Sequence, residues 1–112
     1  MKTTGWVRKE LKRSLSLLAA PAEEQLAHLR EIGCADAIDE LALELDDVLP
    51  GGHVSSELAL TEEQLRKVRA VQQQLAEISG PQHAEIWQAE ALANRAEWSR
   101  IREVASQAAA AL

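Results

Sequence analysis

Apolar residues recur along almost the whole chain at steps of three and four, and nowhere alternate with polar ones over a strand length. That spacing lines one side of a helix instead of one face of a sheet. Over residues 4–18, Val7, Leu11, Leu15 and Leu18 step by four, four and three with basic residues turned away, which predicts a first amphipathic helix. Pro21 suits the first turn of a second helix over "PAEEQLAHLREIG". Glu23 and Glu24 suit its positive end, Gly33 suits a left-handed cap, and Leu26, Leu29 and Ile32 form the expected buried stripe. Asp36 is expected to cap a third helix running to about Leu49, with Ile38, Leu41, Ala42, Leu45, Val48 and Leu49 on one face. Pro50, Gly51 and Gly52 stop it, and "PGGHVSSELAL" reads as a loop.

Thr61 followed by Gln64 makes a capping box that opens a fourth helix with Leu65, Val68, Val71, Leu75 and Ile78 inside; Gly80 and Pro81 close it. A short fifth helix is expected over about residues 84–93, carrying Ile86, Trp87 and Leu92. Asn94 with Glu97 repeats the capping-box spacing, and Trp98, Ile101, Ala105, Ala108 and Leu112 then step to the end. The predicted fold is all-α: a compact single-domain bundle of five to six short helices over residues 1–112.

Composition agrees with this. The apolar 46% is mostly Leu and Ala, with three Trp, no Phe and no Tyr, so strand formers are scarce. No apolar run reaches the roughly 18 to 20 residues that span a bilayer, and no membrane partner is expected. The start "MKTTGWVRKELKRSLSLLAAPA" imitates a signal peptide, but its apolar part, Leu15 to Ala20, is shorter than the roughly 7 to 15 residues of an h-region. Cys34 is the single cysteine. It allows no internal disulfide, reads as a small filler and fits a reducing, cytoplasmic location.

Charge changes the picture more. The net charge is −6, unevenly spread: residues 1–20 carry five bases against Glu10, while residues 21–60 carry ten acids against Arg30 alone. Within "DAIDELALELDD" lie Asp36, Asp39, Glu40, Glu44, Asp46 and Asp47 with no base among them. On one helix, positions 36, 40, 44 and 47 stack into a carboxylate stripe beside the leucine edge. Like charges at that spacing cost about 0.2 to 0.5 kcal/mol per pair, and acids at a helix C-terminus oppose its dipole. Three readings follow. The stripe is a solvated face neutralised by Lys9, Lys12, Arg13, Arg66, Lys67 or Arg69 of the same chain, a docking face for a basic protein, or a metal site. The linear arrangement and the lack of an EF-hand spacing argue against the last, so these six carboxylates are the expected partner-binding residues and no metal ligand is assigned.

Other chemistry finds little footing. His28, His53 and His83 form neither HExxH nor ExxH pairs; at most His53 would meet Glu57, or His83 would meet Glu85. No GxSxG, phosphate loop or GxGxxG occurs, Ser55 and Ser56 read as loop residues, and no catalytic residue or cofactor is assigned. An acidic chain is repelled by nucleic acid, so no nucleic-acid partner is expected. Trp87 and Trp98 are expected in the core, whereas Trp6 stands at the core edge or at an interface.

The stretches "LAAPAEEQLAHLREIG", "DELALELDD" and "ISGPQHAEIWQAEALANRAEWSRIREVASQAAAAL" resemble a group of small all-helical bacterial proteins that mostly have no assigned activity and look like immunity-type neutralisers of toxins. The resemblance implies a helical fold and a bacterial cytoplasmic setting, and carries across no catalytic residue. The expected function is a non-enzymatic binding protein that presents the acidic face to a basic partner, such as a toxin domain. The alternatives are a metal-dependent or hydrolytic enzyme using the same carboxylates with His28, His53 or His83, and a structural homodimer joined through Trp6 and the alanine face of the last helix.

Overall fold

Helix α1, Thr4–Ala19, buries the residues that its four, four and three spacing selects: Leu11, Leu15 and Leu18 completely and Val7 almost so. The structure is a computed structural model, and it describes residues 4–49 and 59–112. Lys2, Pro50, Gly51, Gly52, His53, Ser55, Ser56 and Glu57 lie outside the described residues. Helix α2, Ala22–Glu31, begins directly after Pro21, whose carbonyl accepts from the amides of Glu24 and Gln25 at 3.0 and 3.1 Å. Gly33 ends it at φ +79°. There the amide of Cys34 donates to Leu29 O at 2.7 Å and that of Gly33 to Arg30 O at 3.1 Å, the paired bonds of a Schellman cap.

Four further helices follow: α3, Glu40–Val48; α4, Glu62–Glu77; α5, Ala89–Asn94; and α6, Ala96–Ala111, with a 3-10 helix, Pro81–Trp87, before α5. No strand occurs among the described residues, so the chain is an all-α bundle. Its radius of gyration, 13.5 Å, is close to the roughly 13 Å of a folded chain this long. Helix α6 packs along both α1 and α4, α3 lies on another side of α1, and α2 and α5 close one end. One continuous hydrophobic core runs through α1, α3, α4 and α6, around a fully buried Trp98. Ala105 and Ala108 are completely buried. The alanine face considered for a dimer is therefore used inside the bundle, where small side chains let helices approach.

The Thr61–Gln64 capping box forms as expected: the amide of Gln64 donates to Thr61 Oγ1 at 3.1 Å and that of Thr61 to Gln64 Oε1 at 2.9 Å. Gln64 Nε2 also donates to Ala111 O at 2.8 Å, tying the start of α4 to the end of α6.

Three local expectations are corrected. The third helix starts at Glu40, not at Asp36. After the cap at Gly33 the chain runs through turn bonds, Ala37 N to Cys34 O at 2.9 Å and Glu40 N to Ala37 O at 3.0 Å, which carry Ile38 into the core. The fifth helix is split, because Trp98 Nε1 donates to Ile86 O at 2.7 Å and so occupies a carbonyl that a continuous helix would offer to the amide of Glu90. Gln88 is extended there, at φ −117° and ψ 156°. Asn94 is not a cap either. Its Nδ2 donates back to Glu90 O at 3.0 Å inside α5, and Arg95 holds the cap position of α6 without a side-chain cap bond. The guanidinium of Arg95 instead reaches Glu97 at 3.0 and 3.3 Å; this hydrogen bond holds the Glu97 carboxyl below its usual range and raises Arg95.

The expected stripe of α2 also changes. Leu29 is buried and Leu26 half-buried, but Ile32 is 43% exposed and Gln25 is completely buried. The reason lies at the C-terminus of α1, where the last carbonyls of a helix lack intrahelical donors and no glycine cap follows. Gln25 Nε2 donates to Leu17 O at 3.0 Å and Leu18 O at 3.1 Å. Arg102 of α6 donates from Nε to Ala20 O at 3.1 Å, and from one terminal nitrogen to Gln25 Oε1 at 3.1 Å and to Leu92 O. Burial lowers the pKa of this guanidinium from its usual value, which leaves it charged at neutral pH. Side chains from α2 and α6 thus finish α1 and hold α5 against it.

Removing Gln25 takes the side-chain donor from the buried Leu18 carbonyl, and removing Arg102 takes it from the part-buried Ala20 carbonyl; the loss of such a partner costs about 1 to 3 kcal/mol. Gln25→Leu, which keeps the volume but not the amide, and Arg102→Ala are each expected to lower unfolding free energy by about 2 kcal/mol. The double variant should lose less than the sum. Urea denaturation of the four proteins measures both quantities.

Candidate functional site

Glu40, Glu44 and Asp47 share one side of α3, at steps of four and three, and Asp46 lies beside them. Asp36 and Asp39 precede the helix, Asp36 in a turn and Asp39 at the cap position without a side-chain cap bond. The stripe foreseen over 36, 40, 44 and 47 is therefore helical only from Glu40 onward; Asp36 lies exposed in the preceding turn. Leu41, Leu45 and Leu49 are buried on the opposite edge, next to Ile38. They anchor α3 against α1 and turn its carboxylates outward: Asp36, Asp39, Asp46 and Asp47 are exposed, and Glu40 and Glu44 are half-buried. Leu43, 44% exposed, stands among them. Its periodicity signal was there to read, since it falls off the leucine edge and on the acid side.

Among the described residues none of these six carboxylates forms an ion pair with a lysine or arginine. The ion pairs that do form are Arg13–Glu10 at 3.7 Å, Lys67–Glu63 at 3.5 Å and Arg95–Glu97 at 3.0 Å, all between near neighbours in sequence. Glu44 instead meets His28 of α2, with Nε2 2.8 Å from Oε1 and 3.1 Å from Oε2. The enzyme alternative sets these carboxylates beside a histidine without fixing which pair meets; residues 28 and 44 are brought together only when α2 and α3 pack on each other.

Beside this pair a groove of about 390 Å³ opens between α1, α2 and α3. Leu17, Ile32 and Val48 supply its apolar walls; Glu10, Arg13, His28, Glu44 and Asp47 supply its charge. Ser14 also lines it, only 6% exposed, and its Oγ has no hydrogen-bond partner. Ser14, His28 and Glu44 are the residue types of a catalytic triad, but a triad needs the hydroxyl bonded to the base, and here His28 Nε2 faces the carboxylate. The groove is thus a mixed polar and apolar recess at the edge of the acidic face, with one buried hydroxyl unsatisfied.

The remaining candidates are elsewhere. His83 lies half-buried in the 3-10 helix, and Cys34 is half-buried at the rim of the core. Trp87 Nε1 donates to Ile78 O at 2.7 Å, and its ring meets that of Trp98 edge to face at 5.1 Å, so both indoles belong to the packing. Trp6 is 44% exposed on α1. No group of three or more His, Cys, Asp or Glu side chains is gathered as for a metal ion among the described residues. No helix there is long and apolar enough to cross a membrane. No family model, curated protein or solved structure matches the chain.

The His28–Glu44 contact is about three-quarters shielded from solvent on both sides, and it links α2 to α3. A double-mutant cycle with His28→Ala and Glu44→Ala is expected to give a coupling of about 1 kcal/mol. Chemical denaturation at low and high salt checks it, with the smaller coupling expected at high salt.

Proposed function

We propose that this is a non-enzymatic binding protein that docks a basic protein partner on the outward face of α3 and the turn before it. Asp36, Asp39, Glu40, Glu44, Asp46 and Asp47 form the docking face. The observation that carries the reading is that no lysine or arginine among the described residues forms an ion pair with any of them. Like charges along one helix cost stability in the free protein. A cationic partner relieves that repulsion, and complementary charge accelerates encounter and selects against wrong partners. The exposed Leu43 adds apolar contact at the centre of the charged patch.

A toxin-neutralising, immunity-type role in a bacterial cytoplasm is the specific form of this reading. It rests on the resemblance of three stretches of the chain to such proteins and on the fit between an acidic face and a basic toxin domain. Glu40→Lys combined with Asp46→Lys reverses two charges of the face and leaves the residues of the His28–Glu44 contact in place. With a basic partner captured from a bacterial lysate at low salt, this variant is expected to bind at least about tenfold more weakly. The wild-type complex should itself weaken as salt rises. Calorimetry or surface plasmon resonance reads both, and an unchanged affinity in the variant overturns the proposal.

A further inference from the structure

The groove between α1, α2 and α3 carries opposite charges on facing walls. Arg13 lines it from α1 and Asp47 from α3, with Ile32 of α2 and the half-buried Leu17 and Val48 beside them. The Arg13 side chain is 76% exposed, Ile32 is 43% exposed and Asp47 is exposed as well. We propose that this groove is the interface with a second copy of the chain, related by a two-fold axis that sets Arg13 of each copy against Asp47 of the other.

The argument is charge complementarity. Helix α1 carries Arg8, Lys9, Lys12 and Arg13 against Glu10 alone, and α3 carries Glu40, Glu44, Asp46 and Asp47 with no base. The two helices pack on each other, yet among the described residues no base of α1 forms an ion pair with an acid of α3. Arg13 reaches only Glu10, one turn away at 3.7 Å, and an exposed pair of that kind contributes little. Two complementary sets of charge therefore stand side by side, unmatched within the molecule. A two-fold interface needs such a patch, one whose halves match when the patch meets itself. An axis along the groove lays the α1 wall of each copy over the α3 wall of the other. An axis across it sets Arg13 on Arg13 and Asp47 on Asp47, which like-charge repulsion rejects.

Trp6 extends the α1 wall. It lies seven residues before Arg13, on the same side of the helix, and is 44% exposed; tryptophan is enriched among the residues that anchor interfaces. Trp6 and Ile32 supply the apolar contact, and the charges set the register. The net charge of −6 per chain opposes association, but at physiological salt that repulsion is screened beyond about 8 Å, whereas the pairs across the groove act at contact distance.

The test is the mass of the full chain over a concentration series at physiological salt, by sedimentation velocity and light scattering. A reversible dimer is expected. Arg13→Glu and Asp47→Arg, both at exposed positions, are each expected to weaken it at least about tenfold, and Ile32→Ser several-fold. An equimolar mixture of the Arg13→Glu and Asp47→Arg proteins should dimerise again, because both contacts of the mixed pair are then of opposite charge. The chain carrying both substitutions should also recover the dimer with itself. Recovery in these two arms shows that the single variants are folded and that residues 13 and 47 meet across the interface. A monomer up to about 1 mM, single variants that dimerise like the wild type, or loss without recovery in both arms each overturns the proposal. Glu40 and Asp46, reversed in the docking experiment, lie outside the groove, so the two proposals fail separately.

Discussion

The end of α1 is where the bundle is closed. No glycine cap follows it, a turn bond from the Ala20 amide serves only Leu17 O, and buried carbonyls cannot be left bare. Gln25 and Arg102 supply donors to Leu18 and Ala20, Gln25 adds a second donor to Leu17 O, and Arg102 extends the same link to Leu92. One polar cluster thereby fixes α2, α5 and α6 relative to α1. A cation is favourable there for a further reason, since the C-terminus of a helix carries partial negative charge. Because α1 packs against both α6 and α3, the position of the acidic helix depends on that closure as well.

Helix α3 shows two demands meeting in nine residues. Its leucine edge is driven inward by apolar burial, on the order of 2 kcal/mol for each fully buried leucine, against repulsion of a few tenths per acid pair on the other side. Burial wins by a wide margin. The charged face is therefore carried by packing, not by any compensating lysine, and stays chemically available. The groove next to it follows from the same packing, for the chain turns back after Gly33 and brings Glu44 of α3 to His28 of α2, leaving a recess between α1, α2 and α3.

The tryptophans do for the segment between α4 and α6 what Gln25 and Arg102 do for the end of α1. Each indole N–H finds a backbone carbonyl, Ile78 for Trp87 and Ile86 for Trp98, and the two rings pack edge to face. These bonds divide the segment between α4 and α6 into a 3-10 helix and a short α-helix. In a domain without Phe or Tyr, such large side chains fill the core, and the backbone bends to accommodate their polar edges.

The sequence alone determined the helical class, the inward edges of α1, α3, α4 and α6, the Gly33 cap, the Thr61–Gln64 box and the identity of the acidic face. All of these depend on residues within a turn or two of one another, where periodicity and capping chemistry are legible. Tertiary structure decided the rest: the burial of Gln25 in place of Ile32, the start of α3 at Glu40, the division of the fifth helix, and the pairing of His28 with Glu44. Each turns on a donor and an acceptor from different elements. A polar residue looks the same in sequence whether water or a distant carbonyl satisfies it, and only the folded chain distinguishes the two.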